Sequence, residues 1–331
     1  MDKYNIILIK NTGMSYNITK MVGALSWSDD LETLGTKLNF DIARNLDDKY
    51  LANYDIINVG DKILLNNNSE EIFRGIITNV SYAKNSKSIS CFDYAFYLNQ
   101  SKTVSQFYKI SADKAISELC AKFNVPIGKI ESMNTKINKI YKENTIAEII
   151  KDIIQQVERE SGIKYRLEMR NGKLYIIKYY EITINPVFQQ SEKLNGINSL
   201  SALGDISKEE NIQEMRNSIL VASDDEKSSK IIATVKDQSS IETYGLLQDV
   251  INVDKKNESQ AKQIANNKLK ELNRISEDIN IEVLGNDAFR AGRIIVINNP
   301  AYKLSGKYLI QSVTHNYTNS IHRCSLTVKG V

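Results

Sequence analysis

The chain has 331 residues, of which 42% are hydrophobic and 25% are charged, and these values are ordinary for a globular protein of about two domains. Lys and Arg number 43 and Asp and Glu number 40, so the net charge of +3 disfavours a dedicated nucleic-acid-binding protein. Two His and three Cys disfavour multi-histidine metal sites, most histidine-based catalysis and a disulfide framework. No apolar run predicts a membrane-spanning helix, and the N-terminal run is too short for a secretory signal.

Residues 1–103 are predicted to form a first β domain. Leu38, Phe40 and Ile42 alternate with polar residues, which is the period of a half-buried strand. Asn and Ser cluster at 66–69 and 85–88, where hairpin loops are expected. Many short strands joined by regular turns are typical of a small barrel. The predicted strands are 4–10, 17–27, 37–44, 62–65, 71–82 and 88–98.

Residues 104–190 are predicted to form an inserted α/β domain. A helix over 111–124 begins with Ser111 as its cap and cannot continue past Pro126. A second helix begins at 144 or 145, carries an apolar stripe at helical spacing, and ends at Gly162. Asn171-Gly172 then predicts a hairpin between strands 165–169 and 173–178.

Residues 191–331 are predicted to form a second β domain that contains one helix, 258–273, capped by Asn257 or Ser259. The predicted fold class is therefore mainly β (α+β), with two related small antiparallel β-barrels flanking an inserted domain of two helices and a hairpin. The predicted strands of this domain are 218–222, 231–236, 241–253, 279–284, 293–297, 307–317 and 321–329.

The ends of the two β domains share an internal pattern. A Gly turn at Gly60 and again at Gly292 precedes a short apolar strand, a loop and a hairpin of two longer strands. The spacing from Val80 to Cys91 equals that from Val313 to Cys324. Any two antiparallel meanders can share such spacing. The alternative is a duplicated barrel, and a trimer of such a chain would then display six similar barrels in a ring.

Few residues suggest chemistry, and the sequence contains no Gly-rich phosphate loop, GxSxG elbow or HExxH motif. His315 and His322 are predicted on paired strands and could share a metal ion, but no third ligand is indicated, so partly exposed strand histidines are the favoured interpretation. Cys324 could share a strand face with His322, yet such neighbours rarely form a nucleophile pair. Cys91, Cys120 and Cys324 are interpreted as small buried hydrophobes. We therefore assign no catalytic, cofactor-binding or metal-binding residue and expect no cofactor.

Two further groups of residues favour a structural interpretation over a functional one. The acidic clusters are predicted to lie in solvated loops and not to form a glycosidase acid pair. The aromatic clusters are predicted to be core or interface, and not a stacking platform for sugar or single-stranded nucleic acid. The acidic clusters are Asp29-Asp30, Asp47-Asp48 and Asp224-Asp225-Glu226, and the aromatic ones are Phe92, Tyr94, Phe96 and Tyr97, and Tyr175, Tyr179 and Tyr180.

A series of motifs in a fixed order resembles the XkdQ/YqbQ-like proteins of PBSX-type phage tails, over nearly the whole chain. The C-terminal motifs are similar to the last barrel of contractile-tail hub proteins, a group that includes phage late-control protein D and the N-terminal part of VgrG. The motifs are Gly23–Asp30 (GALSWSDD), Leu38, Phe40, Arg44, Gly60-Asp61, 73–77 (FRGII), 91–98 (CFDYAFYL), Leu119-Cys120, 123–126 (FNVP), 244–248 (YGLLQ), Gly292, 306–310 (GKYLI) and 313–315 (VTH).

The resemblance implies a structural baseplate hub of a contractile phage tail or phage-tail-like bacteriocin. Such hubs are homotrimers that join the sixfold tail tube to the threefold spike, beside LysM-type and wedge baseplate proteins. It implies no enzyme activity, no specific nucleic-acid binding and no membrane span, and a location in the particle after assembly in the bacterial host cytoplasm. We expect no fused lysozyme, peptidase or spike domain. Two alternatives stay open, a tail-associated cell-wall hydrolase and a barrel module that binds sugar or nucleic acid.

Overall fold

The computed structural model describes residues 2–43, 56–179, 182–188, 195, 197–201, 203–223, 230–253 and 255–331. The chain forms two compact units. The first comprises Met1–Lys151, Tyr165–Ser207 and Ile279–Val331, and the second comprises Asp152–Lys164 and Lys208–Asp278. Across these described ranges, the helices are all too short or too polar to cross a membrane.

The fold is mainly β, as predicted. The described strands are β1 (Tyr4–Ile9), β2 (Ser15–Asn17), β3 (Val22–Asp30), β4 (Lys37–Ala43), β5 (Lys62–Asn67), β6 (Glu70–Tyr82), β7 (Ser86–Asp93), β8 (Lys102–Ser111), β9 (Ile127–Ile130), β10 (Lys136–Thr145), β11 (Tyr165–Arg170), β12 (Lys173–Lys178), β13 (Val187–Phe188), β14 (Ile197–Asn198), β15 (Leu203–Asn211), β16 (Ser218–Ser223), β17 (Ile231–Lys236), β18 (Gln248–Val253), β19 (Ser276–Leu284), β20 (Ile294–Asn299), β21 (Leu304–Thr318) and β22 (Ile321–Gly330). The described α-helices are α1 (Ala95–Gln100), α2 (Ala112–Lys122), α3 (Ile146–Ser161), α4 (Gln238–Tyr244) and α5 (Ala261–Leu272).

One large sheet contains strands from both ends of the chain, in the order β15-β19-β22-β21-β3-β4-β7-β6-β5-β1-β2, with β20 branching from β21. We call β4 to β7 the first meander and β19 to β22 the second meander. Each has its own apolar core, one including Ile63, Leu65 and Ile77 and the other Ile295, Ile310 and Leu326. The described strands form an open path, so closure of either meander into a barrel stays a prediction.

The two meanders contain the same turn, which precedes β5 in the first meander and β20 in the second. Gly60 and Gly292 both have positive φ, at 87° and 79°, a conformation that glycine adopts without steric cost. The Gly60 amide donates to the Ile77 carbonyl and the Gly292 amide to the Ile310 carbonyl, each at 2.8 Å. The Asp61 and Arg293 carbonyls accept the return bonds, at 2.8 and 2.9 Å. These matching bonds make the two turns structurally equivalent.

The hairpins that follow also match, but not in the register that the sequence suggested. The pairing with the last strand skips Thr78 in β6 and Gln311 in β21, each two residues before the matched Val80 and Val313. From there Cys91 lies opposite Ile77, whereas Val328 lies opposite Ile310. The structural counterpart of Cys91 is thus Val328, and the equal Val-to-Cys spacing is coincidental. The second hairpin is longer, so Cys324 lies four residues earlier along its strand.

Two predicted strands are wrong where a side-chain cap turns the chain into a helix. The strand predicted over 88–98 ends at Asp93, whose carboxylate accepts the Ala95 amide at 2.9 Å as α1 begins. The strand predicted over 241–253 contains part of α4, where Asp237 accepts the Ser240 amide at 3.1 Å. Gly245, at φ 80°, ends that helix before β18. Asx caps of this kind compete with strand formation.

The predicted helix caps were partly right. Ser111 stands at the N-cap of α2 but its side chain makes no capping bond. A 3-10 turn over Lys255–Gln260 precedes α5, so neither predicted cap residue is its N-cap. In contrast, Thr145 and Glu148 each accept the other's backbone amide, which is a capping box at the start of α3.

The inserted segment contains the two predicted helices and the predicted hairpin. β11 and β12 pair around Asn171 and Gly172, which have the positive φ of a tight turn. Strands β8, β9 and β10 were not predicted; β8 and β10 pair antiparallel, and β9 adds to β12 in parallel. The three-part division of the chain stays a prediction.

The second compact unit has a small sheet of its own, β17-β16-β18, in which β16 and β18 are parallel. Its core packs Ile219 and Val221 of this sheet against Ile264 and Ala265 of α5. Parallel strands need a crossover connection. Here α4 lies in the connection that leads to β18.

Candidate functional site

The first and second meanders are joined along one pair of strands, which we call the seam. Residues Leu25–Asp30 of β3 pair antiparallel with Ser312–Tyr317 of β21. β3 also pairs with β4, so it continues the first meander on one side and the second on the other. The seam is therefore built from residues that are 282 to 292 positions apart in the sequence.

Aromatic rings fill the seam. The Trp27 indole stacks on the His315 imidazole, with the ring centres 4.6 Å apart and the planes at 9°. Tyr4 contacts Trp27 at 5.1 Å and Tyr317 edge-on at 4.7 Å. Trp27, Tyr4 and His315 are all buried. Because such pairs stabilise beyond the area that they bury, the seam is a packed core and not a loose contact between two halves.

Three potential metal ligands meet beneath these rings. His315 Nδ1 lies 3.0 Å from His322 Nε2, and Cys324 Sγ lies 3.1 Å from His315 Nδ1 and 3.5 Å from His322 Nε2. All three side chains are buried. The sequence placed the two histidines on paired strands but indicated no third ligand, and the register of β21 with β22 supplies Cys324 directly opposite His315. The expectation that these histidines are partly exposed is therefore wrong, because both are buried.

The outer nitrogen of each imidazole already has a partner. His315 Nε2 lies 2.9 Å from the Phe289 carbonyl oxygen, which can only accept. His322 Nδ1 lies 3.2 Å from Asp2 Oδ2 and 3.0 Å from Tyr4 Oη, whose proton is donated to Asp287. His315 therefore carries its proton on Nε2, and the Asp2 carboxylate favours the tautomer of His322 with the proton on Nδ1.

Burial controls the ionisation of this cluster. Desolvation, followed by the nearby His322, holds the pKa of His315 well below its usual value. Desolvation also raises the pKa of the Cys324 thiol. A reactive cysteine needs the opposite shift and access to solvent. The Cys324–His322 contact is therefore unsuited to nucleophilic catalysis.

A second buried cluster surrounds Glu168 on β11. Arg293 donates to both carboxylate oxygens of Glu168, at 2.9 and 3.1 Å, in a bidentate pair. Arg166 Nη2 lies 3.2 Å away, Arg170 Nε 3.3 Å and Arg290 Nε 3.5 Å. Four guanidinium groups thus share one buried carboxylate. The residues come from the β11–β12 hairpin and from the turn that precedes β20, so the cluster ties these two elements together.

No motif in the sequence singles out this cluster, although one signal is present. Arg166, Glu168 and Arg170 alternate along β11, which extends one residue beyond the predicted strand, so all three side chains point to one face. A charged face on a hairpin that must pack against a core indicates an internal ion network. Its partners, Arg290 and Arg293, could not be located because they lie more than 120 residues away.

Two aspartates beside this cluster have raised pKa values. Desolvation raises the pKa of Asp29 to about 6, although Arg290 and the Ala291 amide oppose the shift. Desolvation likewise raises the pKa of Asp93 to about 7, against hydrogen bonds from the Thr36 and Ala95 amides. Asp29, predicted to lie in a solvated loop, is instead a half-buried residue of β3, 3.7 Å from Arg290 Nε in the ion network.

The Asp93 shift has a measurable consequence. Because Asp93 holds a proton in the folded chain that the unfolded chain has lost, its contribution to the free energy of unfolding should fall as the pH rises from about 4 to about 7. The Asp93→Asn variant cannot titrate and should lack this component. Urea unfolding of both proteins at pH 5 and pH 7 measures the difference. If the free energy of unfolding changes equally with pH in the two proteins, the raised pKa of Asp93 is contradicted.

The other predicted clusters do not converge. Asp30 accepts the amides of Glu32 and Thr33 in a turn. Phe92 and Phe96 are neighbours at 6.3 Å, and Tyr175 lies under the Arg170 guanidinium at 4.1 Å. Asp47-Asp48, Asp224-Asp225-Glu226, Tyr180 and Arg44 lie outside the described residues.

The fold is that of bacteriophage tail proteins. The crystal structure of the 43 kDa tail protein of prophage MuSo2 from Shewanella oneidensis matches this chain with a TM-score of 0.71 at 12% identity, covering 98% of each chain. A family model described as YqbQ-like matches residues 25–329, and the chain belongs to the YqbQ-like family. Two relatives of Bacillus subtilis strain 168, YqbQ and the phage-like element PBSX protein XkdQ, are 24% and 23% identical over 83% of this chain, covering 82% and 83% of their own lengths. The resemblance inferred from the motifs is confirmed.

Proposed function

We propose that this chain is the hub subunit of a contractile-tail baseplate, a homotrimer that joins a sixfold tail tube to a threefold spike. The observation that carries the proposal is the pair of equivalent meanders within one chain, with matching turns and matching bulges. Three chains carry six such units. A ring of six similar units can face a sixfold tube while the chain itself obeys threefold symmetry.

The seam supports a specific mode of assembly. Within the chain, β3 pairs with the C-terminal part of β21. The corresponding C-terminal part of β6 begins beyond Ile76, where the pairing with β5 ends and β7 is the remaining strand partner in the described part of the chain. At the end of the large sheet, β15 lies beside β19 in the same way that β3 lies beside β4. We infer that β15 of one protomer pairs with the C-terminal part of β6 in the next protomer and so repeats the seam between chains.

The remaining assignments follow from this role. The tail tube, the spike and neighbouring baseplate proteins, of LysM and wedge type, are the proposed partners, and the particle, a phage or a bacteriocin, is the proposed location. The chain would assemble in the host cytoplasm, with no catalytic role and no specific nucleic-acid binding. Its mechanism is mechanical, since a buried ion network and a packed seam suit a part that transmits the force of sheath contraction.

Cysteine cross-linking tests the proposed contact between protomers. Ser81 of β6 and Ser207 of β15 are exposed, whereas all three native cysteines are buried. In the Ser81→Cys/Ser207→Cys variant, a short bifunctional thiol reagent should link the protein into covalent trimers. The matched control, Ser81→Cys with Tyr16→Cys, places the second thiol on β2 at the opposite end of the sheet and should yield no trimer.

Two outcomes would count against the hub assignment. The first is a wild-type protein that stays monomeric by mass at its highest soluble concentration. The second is hydrolysis of purified cell walls, which would favour the alternative of a tail-associated hydrolase.

A further inference from the structure

We propose that His315, His322 and Cys324 bind a structural transition-metal ion, with Zn²⁺ as the best fit, through His315 Nδ1, His322 Nε2 and Cys324 Sγ. The site lies inside the seam and is separate from the surfaces proposed for assembly. It does not depend on the hub assignment.

The spacing of the three donor atoms fits one shared ion. Tetrahedral zinc with Zn–N of about 2.0–2.1 Å and Zn–S of about 2.3 Å requires donors roughly 3.3 Å apart for N···N and 3.5 Å for N···S. The observed separations are 3.0 Å for the two nitrogens, and 3.1 and 3.5 Å for the sulfur. A movement of a few tenths of an ångström would complete the geometry.

The hydrogen bonds at the outer nitrogens leave the inner nitrogens available to a metal ion. The Phe289 carbonyl and the Asp2 carboxylate are acceptors, so they favour the tautomers with the proton on each outer nitrogen. The two inner nitrogens then face each other at 3.0 Å beside the sulfur, and a shared cation would stabilise this arrangement. A carboxylate or carbonyl behind each metal-binding histidine is also the arrangement that fixes ring orientation in known sites.

The surroundings hold two of the ligand residues beside open space and in a fixed orientation. His315 lines a cavity of about 210 Å³ that Trp27 and Asp287 also border, so open space reaches one of the three ligand residues. Gly285 packs so tightly that a Cβ there would lie 2.0 Å from the His322 ring, so this imidazole is held in place. On binding, the thiol forms a bond from sulfur to the metal and releases its proton to solvent.

The donor set indicates the class of metal. Two imidazoles and one thiolate suit zinc and its neighbours, and a buried site without a carboxylate ligand disfavours Mg²⁺ and Ca²⁺. The first meander has no such set, because the positions equivalent to His315 and Cys324 hold Tyr82 and Lys87. The site is thus a feature of the second meander alone. Through Asp2 and Tyr4 it would attach the N-terminal strand to the C-terminal hairpin.

Cobalt spectroscopy on the tag-free full chain tests the proposal. After removal of metal with EDTA, titration with Co²⁺ should produce a thiolate-to-cobalt charge-transfer band that saturates at about one ion per chain, and Zn²⁺ should abolish it. Zn²⁺ should also raise the melting temperature relative to EDTA. The Cys324→Ser variant should lose both effects, whereas Cys91→Ser, which removes another buried cysteine, should keep both.

The Cys91→Ser/Cys120→Ser variant keeps the test decisive if Cys324→Ser fails to fold. It leaves Cys324 as the one cysteine in the chain, so its charge-transfer band must come from that sulfur. Absence of the band in this folded variant, or in the wild type, overturns the proposal. If the two imidazoles share only a proton, the protein takes up no Co²⁺, and this outcome also overturns the proposal.

Discussion

Replacing Glu168 by Gln should lower the free energy of unfolding by about 3–5 kcal/mol, one of the two largest effects we expect in this chain. Gln keeps the shape of the side chain but removes the negative charge that four guanidinium groups share. Arg166 and Arg293 are 2% and 6% exposed, so solvent cannot replace that charge. Breaking one member of a buried ion network leaves charges buried without compensation.

Chemical unfolding followed by circular dichroism measures this loss. The control is Glu71→Gln, which removes a carboxylate that pairs with Arg74 three residues later in β6, where the two side chains are 18% and 41% exposed. Pairs that solvent reaches contribute only about 0–1 kcal/mol, so this variant should lose far less stability than Glu168→Gln. Equal destabilisation of the two variants would show that the Glu168 cluster contributes no more than a half-buried ion pair.

The second large effect is expected at the seam. Trp27→Ala should cost about 3–5 kcal/mol, because it removes a large buried ring and leaves a cavity between the two meanders. The lost contacts include the stack on His315 and the packing against Tyr4 and His322. Because Trp27 is the sole tryptophan, unfolding must be followed by circular dichroism and not by fluorescence.

An exposed aromatic residue provides the comparison. Tyr108 on β8 is 69% exposed, and Tyr108→Ala should change stability by no more than about 0.5 kcal/mol. We further expect the Trp27→Ala protein to expose the edge of β21 and to aggregate more readily. A Trp27→Ala protein as stable as Tyr108→Ala would mean that the two meanders do not depend on the packing at the seam.

Local sequence patterns correctly predicted the elements that a few neighbouring residues specify. The stripe of α3 and the Asn171-Gly172 turn each specify their structure within a few residues, and both predictions are confirmed. Strands such as β8 and β15 were missed because their polar, exposed faces carry no clear alternation. Strand 241–253 was wrong because a single capping aspartate outweighed the β-rich composition that follows it.

The candidate site shows which contacts cannot be predicted from local sequence patterns. His322 and Cys324 share a strand face by simple alternation, which the sequence shows. The position of His315 depends on the hairpin register, which is set by the turn at Asn319 and Ser320, both at positive φ. Assigning that two-residue turn would have placed His315 opposite Cys324. The contribution of Asp2, Tyr4 and Trp27 comes from pairing across the whole chain, and no local pattern encodes it.

The position of β3 imposes an order of events on synthesis. Its partner strand begins at Leu304, so the ribosome has made nearly the entire chain before one edge of β3 can be covered. Such non-local pairing folds slowly and leaves hydrogen-bonding edges accessible in the meantime. The nascent first meander is therefore the state in which this protein most needs protection by chaperones. Completion of the C-terminal hairpin is the step that ends this vulnerable period.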